Sequence, residues 1–329
     1  MSLFHMPNPS NNFYHDWKAR KLLYLFVFLV VFLSACGLPK NVILLNGADP
    51  IPAAYLVWSP TGNELAVTAI TVTTTNEYPM PKSAIYILDV KTKKMRLVVD
   101  QDFGDVSAYG WMPDGKQLAF SGFSLKDSKK GIWLVDISSV KPPKFFSDHL
   151  QLTSFDGKIA IPRTDPSTQE DALYIHNITT NDETKIFSGM GLGISQLSWS
   201  SDGSKLVFLY EKSHGGKYGI YLFDANTKKT IQVVPDGNIK NPSLSPNGEM
   251  IAYTKANPNS FLPSAYLHII KSDGSCDVEV PGHFEVYSPV WSPDGKQIAY
   301  IGKSDRGIYL LDLIGAFGED IIEKGLPCP

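Results

Sequence analysis

Trp291-Ser292-Pro293-Asp294-Gly295, followed at once by Lys296-Gln297-Ile298-Ala299-Tyr300, is a chain reversal running into a strand. The proline presets φ for the first turn position, the aspartate bonds nearby backbone N–H groups, and the glycine takes the left-handed conformation that other residues resist. Working outward, the same pattern recurs as Trp58-Ser59-Pro60-Thr61-Gly62 before Leu65-Ala66-Val67, and as Trp111-Met112-Pro113-Asp114-Gly115 before Leu118-Ala119-Phe120. It returns as Trp199-Ser200-Ser201-Asp202-Gly203 before Leu206-Val207-Phe208, and as Leu244-Ser245-Pro246-Asn247-Gly248 before Ile251-Ala252-Tyr253. A worn copy, Phe155-Asp156-Gly157 before Ile159-Ala160-Ile161, fills the gap. The six glycines, at 62, 115, 157, 203, 248 and 295, are 53, 42, 46, 45 and 47 residues apart, so one unit is repeated six times.

Each copy continues with a second apolar run, such as Ile132-Trp133-Leu134-Val135-Asp136 or Ile220-Tyr221-Leu222-Phe223-Asp224, and most add a third, such as Ile231-Gln232-Val233-Val234. These runs lack clean polar alternation, as expected of strands whose sheets are covered on both faces. Four strands per copy and six copies predict an all-β fold, a six-bladed β-propeller over residues 50–329. The repeat tryptophans, Trp58, Trp111, Trp199 and Trp291, are expected to fill the wedges between blades, and the repeat glycines to serve the turns. The sixth copy has three evident strands through Asp312. Its fourth must come from Asp320-Ile321-Ile322-Glu323 or from Val42-Ile43-Leu44-Leu45, and the N-terminal run is preferred because it would join both ends of the chain.

Trp-Ser-Pro-Asp-Gly with Lys-Gln-Ile-Ala-Tyr resembles the WD40-like (PD40) propeller repeat of TolB-like proteins, which also occurs in the propellers of prolyl oligopeptidase and dipeptidyl peptidase IV relatives. The resemblance covers roughly residues 50–325. It implies the fold specifically and the function only loosely, because this propeller serves many tasks. The Tol system's own member carries an α/β domain before its propeller, whereas here about fifteen residues separate Cys36 from the first blade.

Ahead of the repeats, Lys18, Arg20 and Lys21 precede a twelve-residue apolar run, Leu22 to Leu33. As a helix that run would span about 18 Å, short of the roughly 30 Å hydrocarbon core, which favours a cleaved signal over a short anchor. Leu33-Ser34-Ala35-Cys36-Gly37 resembles the lipobox of bacterial lipoproteins, which implies cleavage before Cys36 and diacylglycerol on its thiol. Residues 1–35 are therefore read as a lipoprotein signal peptide, and 36–49 as a tether and candidate closing strand. Removing 1–35 takes away Lys18, Arg20, Lys21 and Asp16, leaving 27 basic and 32 acidic residues, a formal charge of −5. Such a balance argues against a nucleic-acid partner, whose phosphates demand a basic surface.

Chemistry-bearing motifs are scarce. The sequence holds no Gly-x-Ser-x-Gly, Walker loop or His-Glu-x-x-His, so neither cofactor nor metal is expected. Counting back three and four positions from each Trp-equivalent gives the expected channel lining: Ala54 and Tyr55, Ser107 and Ala108, His149 and Leu150, Ser195 and Gln196, Lys240 and Asn241, Tyr287 and Ser288. None is a carboxylate. Asp105, Asp148 and Glu285 lie slightly earlier, in expected connecting loops, as a candidate cation or ligand rim. Cys276 and Cys328 form an even pair once Cys36 is lipidated, easily oxidised outside the cytoplasm, and so are a candidate disulfide that the sequence leaves open. The longest insertions fall between the second and third strands of each copy, on one face of a propeller, where binding usually resides. The expected protein is a monomeric, lipid-anchored, extracytoplasmic scaffold that binds a protein or cell-envelope ligand without catalysis. Its rival is a hydrolase or lyase working at the channel mouth.

Overall fold

The repeat turn is built from one set of bonds. In the computed structural model Gly62, Gly115, Gly203, Gly248 and Gly295 all have left-handed φ, between 65° and 72°. Each donates its N–H to the carbonyl three residues back, as Gly295 does to Ser292 at 2.9 Å. The motif serine is buried in four copies, Ser59, Ser200, Ser245 and Ser292. Its Oγ accepts the N–H five residues on, Gln297 to Ser292 at 3.0 Å, and pairs with the residue two on, donating to the carboxylate of Asp294 or Asp202 at 2.6 Å and meeting Thr61 or Asn247 in the other two. In the second copy Met112 replaces the serine, and the backbone and Asp114 bonds hold the turn without a serine Oγ.

The structure describes residues 42–45, 53–72, 81–100, 102–112, 114–139, 141–147, 153–155, 158–177, 180–213, 215–256, 265–302, 305–318, 321 and 328. Gly157, Asp148, the signal segment and Cys36 lie outside them. After the short β1 (Val42–Leu44), blade 1 comprises β2 (Ala53–Trp58), β3 (Glu64–Val72), β4 (Pro81–Asp89) and β5 (Met95–Val99). Blade 2 follows as β6 (Phe103–Trp111), β7 (Gln117–Ser124), β8 (Lys129–Asp136) and β9 (Lys144–Ser147). Blade 3, the worn copy, has β10 (Thr153–Phe155), β11 (Lys158–Thr164), β12 (Asp171–Asn177) and β13 (Glu183–Gly189). Blade 4 is β14 (Gly193–Trp199), β15 (Lys205–Ser213), β16 (Lys217–Asp224) and β17 (Lys229–Gly237), and blade 5 is β18 (Ile239–Leu244), β19 (Met250–Ala256), β20 (Ala265–Lys271) and β21 (Val278–Phe284). Blade 6 supplies β22 (Val286–Trp291), β23 (Gln297–Gly302) and β24 (Ile308–Asp312), followed by α1 (Leu313–Phe317). The strands form six four-stranded antiparallel sheets.

The first strand of each blade touches those of its neighbours, β2 lying against β22 and β6, and β18 against β14 and β22, so the first strands make the inner ring. The ring closes through the N-terminal run: β1 pairs with β24, Val42 opposite Leu311 and Leu44 opposite Tyr309. Leu45 then buries its side chain among Leu56, Trp58, Ile301, Ile308 and Leu310, in the seam between blades 6 and 1. The C-terminal segment has another task. Leu313 and Ile321 are buried against Val280, Trp291 and Ile298 at the junction of blades 5 and 6. A disulfide joins Cys276, in the turn between β20 and β21, to Cys328, with Cα atoms 5.3 Å apart.

Tryptophans knit the inner ring as well as filling it. The Trp58 indole N–H donates to the Val290 carbonyl at 3.1 Å, Trp111 to Val57 at 3.2 Å, and Trp291 to Ser243 at 3.0 Å. Each acceptor stands directly before the Trp-equivalent of the preceding blade, so the contact repeats with the sequence.

Candidate functional site

Strand direction sorts the loops. Because successive strands are antiparallel, the Ser-Pro-Asp-Gly turns and the turns between third and fourth strands share one face, here the turn face. The loops between second and third strands share the other, the loop face, with the connections between blades. Hydrogen bonds confirm the grouping: Leu125 N–H reaches Asp102 O at 3.0 Å, Leu192 N–H reaches Glu211 O at 2.7 Å, and Ala256 N–H reaches Asn238 O at 2.9 Å. Each bond ties such a loop or strand end to an inter-blade connection.

The loop face exposes apolar side chains. Leu125 and Leu192 stand out of it, Met190 is 71% exposed, and Tyr55 on β2 is 51% exposed. Around the mouth, the counted lining positions are exposed or half-buried wherever described, except Ala108, which is buried. These first-strand positions are mostly polar or aromatic, with Ser107, Ser195, Gln196, Lys240, Asn241 and Ser288 alongside Tyr55 and Tyr287, while His149 and Leu150 lie outside the described residues. The Arg306 guanidinium lies over the Tyr287 ring, 5.5 Å from its centroid.

Three lining residues repeat a special backbone. Gln196, Asn241 and Ser288, each three positions before its Trp-equivalent, have φ of 51°, 55° and 48°. In each blade the pairing with the second strand shifts there, between Ser195 and Ser198, Lys240 and Ser243, and Tyr287 and Val290. These are β-bulges, which re-aim side chains at the cost of a strained φ. One result is a bond along the inner ring, Asn241 N–H to Gln196 Oε1 at 2.6 Å. Asn241, of a type enriched at left-handed positions, was the one sequence signal for it.

The acidic rim differs from expectation at Asp105. It stands not in a connecting loop but on the innermost strand β6, exposed, with φ of 50°. The reason is that β6 shifts register twice, between Gly104 and Ser107 and between Ala108 and Gly110, and so runs longer than the repeat spacing suggests. An innermost strand thus does carry a carboxylate. Glu285 lies between β21 and β22 with φ of 58°, six residues before Trp291, as Asp105 is six before Trp111. Among the described residues no three His, Cys, Asp or Glu side chains gather as a metal site. No helix among them is long and apolar enough to cross a membrane.

Two titratable networks, invisible in the sequence, come together by strand register. In blade 5, Tyr253 and His268 sit opposite each other. Asp277 accepts from the Tyr253 hydroxyl at 2.7 Å and from Lys255 at 3.3 Å, and its other oxygen lies 3.0 Å from His268 Nδ1. Burial works to raise the Asp277 carboxyl, but the His268 and Tyr253 bonds and the Lys255 charge outweigh it and hold it below the usual range. His268 Nε2 faces Glu279 at 3.8 Å, so a His–Asp pair is present with a second carboxylate where a nucleophile would stand. In blade 3, Asp165 accepts from Lys185 at 2.6 Å, Tyr174 at 3.0 Å and Ser167, and the Lys185 bond leads in holding its carboxyl far below the ordinary range. Arg163 lies over the Tyr174 ring at 4.0 Å and pairs with Glu183. Both networks cross-link strands within one blade.

Between blades 3 and 4, the Tyr210 hydroxyl and Asp171 Oδ2 are buried with no hydrogen-bond partner among the described residues. Tyr210 packs edge-on against Phe187 and Tyr221, and its hydroxyl fills the space that a side chain at Gly189 would need. Burial, reinforced by the Asp171 charge, pushes the phenol up.

Comparison with known proteins gives a consistent set. The family model described as the TolB beta propeller domain matches residues 40–293. The Tol-Pal system protein TolB of Francisella tularensis subsp. mediasiatica (strain FSC147) is 26% identical over 264 residues, 78% of this chain and 58% of that protein. Dipeptidyl-peptidase 5 of Trichophyton schoenleinii is 26% identical over 249 residues, 64% of this chain and 34% of that one. The chain therefore spans little more than half the length of the first of these relatives. Among solved structures, a putative TolB from Agrobacterium tumefaciens aligns with a TM-score of 0.55 at 17% identity, covering 83% of this chain and 96% of that one. That likeness is one of fold.

Proposed function

The chain belongs to the TolB beta propeller domain family, and on that premise we propose that it is a non-catalytic binding scaffold of the cell envelope, lipid-anchored through Cys36 and presenting its loop face to a protein or cell-wall ligand. The observation that carries the reading is the exposure of Leu125, Met190 and Leu192 on the face where the inter-blade loops emerge, with Tyr55 exposed on the innermost strand β2. Exposed apolar groups around a polar, aromatic mouth fit the anatomy of a recognition patch. The perturbed carboxylates favour a scaffold over an enzyme, since Asp165 and Asp277 are engaged by neighbours of their own blades. The Cys276–Cys328 disulfide supports an address outside the cytoplasm, and a monomer is the working assembly state.

Photocrosslinking in intact cells tests the face. With a photoreactive amino acid at Tyr55 or Met190, adducts to one partner are expected, and with the probe at Lys229 on the turn face none. Adducts only from Lys229 would overturn the reading. Globomycin tests the anchor: an unprocessed form is expected to accumulate, and unchanged processing would remove the lipid from the proposal.

A further inference from the structure

The turn face carries an uneven charge. On blades 1 and 2 it displays Lys91, Lys93, Lys94, Lys116, Lys141 and Lys144, all exposed, and among the described residues none of these is in an ion pair. Arg96 nearby is paired with Glu64 at 3.2 Å, and it also donates to the Ile137 carbonyl at 2.7 Å, which places the two lysine-bearing turns side by side. Against the six lysines stand three further acids, Asp89, Asp114 and Asp136. Asp89 and Asp136 are held low by bonds from Thr92 and Ser138 and so stay ionised. The patch is net positive on a chain whose mature form is net negative. The corresponding turns of blade 5 are acidic, with Glu249 and Asp273 against Lys271.

Strand β1 begins on this same face. Val42 lies opposite Leu311, and Gln297, which directly follows the Ser292–Gly295 turn, lies opposite Asp312. The start of β1 therefore lies on the turn side of blade 6. The Thr61–Gly62 turn of blade 1 touches the same ring, Pro293 Cδ lying 3.7 Å from where a Gly62 side chain would begin, and Gly115 of blade 2 faces Thr61 in the same way. Six peptide steps separate Cys36 from Val42, a reach of at most about 20 Å.

We infer that the lysine turns of blades 1 and 2 are a docking surface for anionic lipid headgroups, seating the propeller turn face down on the membrane with the loop face turned outward. The inference rests on the lipid anchor proposed above. A short tether to a strand that begins beside a basic patch confines that patch near the bilayer, where anionic lipid attracts Lys and Arg within about a Debye length. The loop face, at the opposite end of the strands, is left free for a partner.

The mature, lipidated protein reconstituted into vesicles tests this directly. Single cysteines replace Pro142 on the turn face or Leu125 on the loop face and carry a fluorophore; brominated lipid is the quencher. Vesicles with 30% phosphatidylglycerol should quench the label at residue 142 at least roughly twice as strongly as that at 125, and 1 M salt, with its Debye length of about 3 Å, should abolish the excess. Neutralising Lys91, Lys93 and Lys94 to glutamine should weaken the seating roughly fivefold per charge, and Lys141→Gln with Lys144→Gln provides an independent second variant. Equal quenching at the two positions, or quenching indifferent to phosphatidylglycerol and salt, would overturn the docking surface while leaving the anchor intact. A protein that does not sediment with vesicles at all would overturn the anchor, and the docking surface with it.

Discussion

Replacing Leu45 with alanine probes how the ring closes. Leu45 is 1% exposed and packs in the seam between blades 6 and 1, while Ile43, two residues earlier on β1, is 44% exposed. Truncating a fully buried leucine removes its transfer free energy and leaves a cavity, together about 3 kcal/mol. The backbone bond from Leu45 N–H to Ile308 O, 2.8 Å, survives the substitution, so the loss is one of packing alone. Ile43→Ala on the adjoining strand β1 should cost less than about 1 kcal/mol, because much of what it removes already faces water. Equilibrium urea unfolding followed by tryptophan fluorescence is the assay, and Trp58 in the same cluster reports on the seam. A gap of about 2 kcal/mol between the two variants is expected, at unchanged denaturant slope. If both cost the same small amount, the N-terminal run does not close the ring in solution and the seam must be sealed by another segment.

Further predictions follow from single contacts. Tyr210→Phe deletes a buried hydroxyl with no partner among the described residues, so urea unfolding should show a protein as stable as the parent or up to about 1 kcal/mol more stable; a loss beyond that would reveal a bound partner for the hydroxyl. Replacing Cys276 and Cys328 with serine opens a loop with 52 residues of sequence separation and should cost up to about 4 kcal/mol on the chain-entropy account; equal denaturation midpoints for variant and oxidised parent would contradict it. Bonds from Ser200 and Ser204 bring the Asp202 carboxyl down to about 2 from an ordinary 3.8. Its contribution to stability is therefore complete above pH 4 and disappears as the pH falls towards 2, and Asp202→Asn should flatten that part of the acid-unfolding curve; an unchanged curve would refute the assignment.

The repeat was legible in the sequence because its cause is local. A Ser-Pro-Asp-Gly turn needs only its own residues to reverse the chain, and copies of it mark where blades begin, even though Met112 and the worn copy at Phe155 depart from the pattern. The candidate site was less legible. The spacing put the expected lining positions on innermost strands wherever they are described, but missed that Asp105 belongs to one too, because the two bulges in β6 that lengthen it depend on what the strand packs against. The Asp277 and Asp165 networks were not legible at all: their members are separated along the chain and meet only through strand register.

What the chain's own order of residues determined is the blade, its number and its turn chemistry, since these arise from contacts between near neighbours. Which strand seals the ring, where the tail is pinned and on which face β1 begins depend on contacts between residues far apart in sequence, such as Leu44 with Tyr309 and Cys276 with Cys328. Two runs, residues 42–45 and 320–323, competed for the last strand position, and the preference for the first rested on joining the two ends of the chain. Only packing in three dimensions assigned β1 to the edge of blade 6 and left Ile321 buried at the junction of blades 5 and 6.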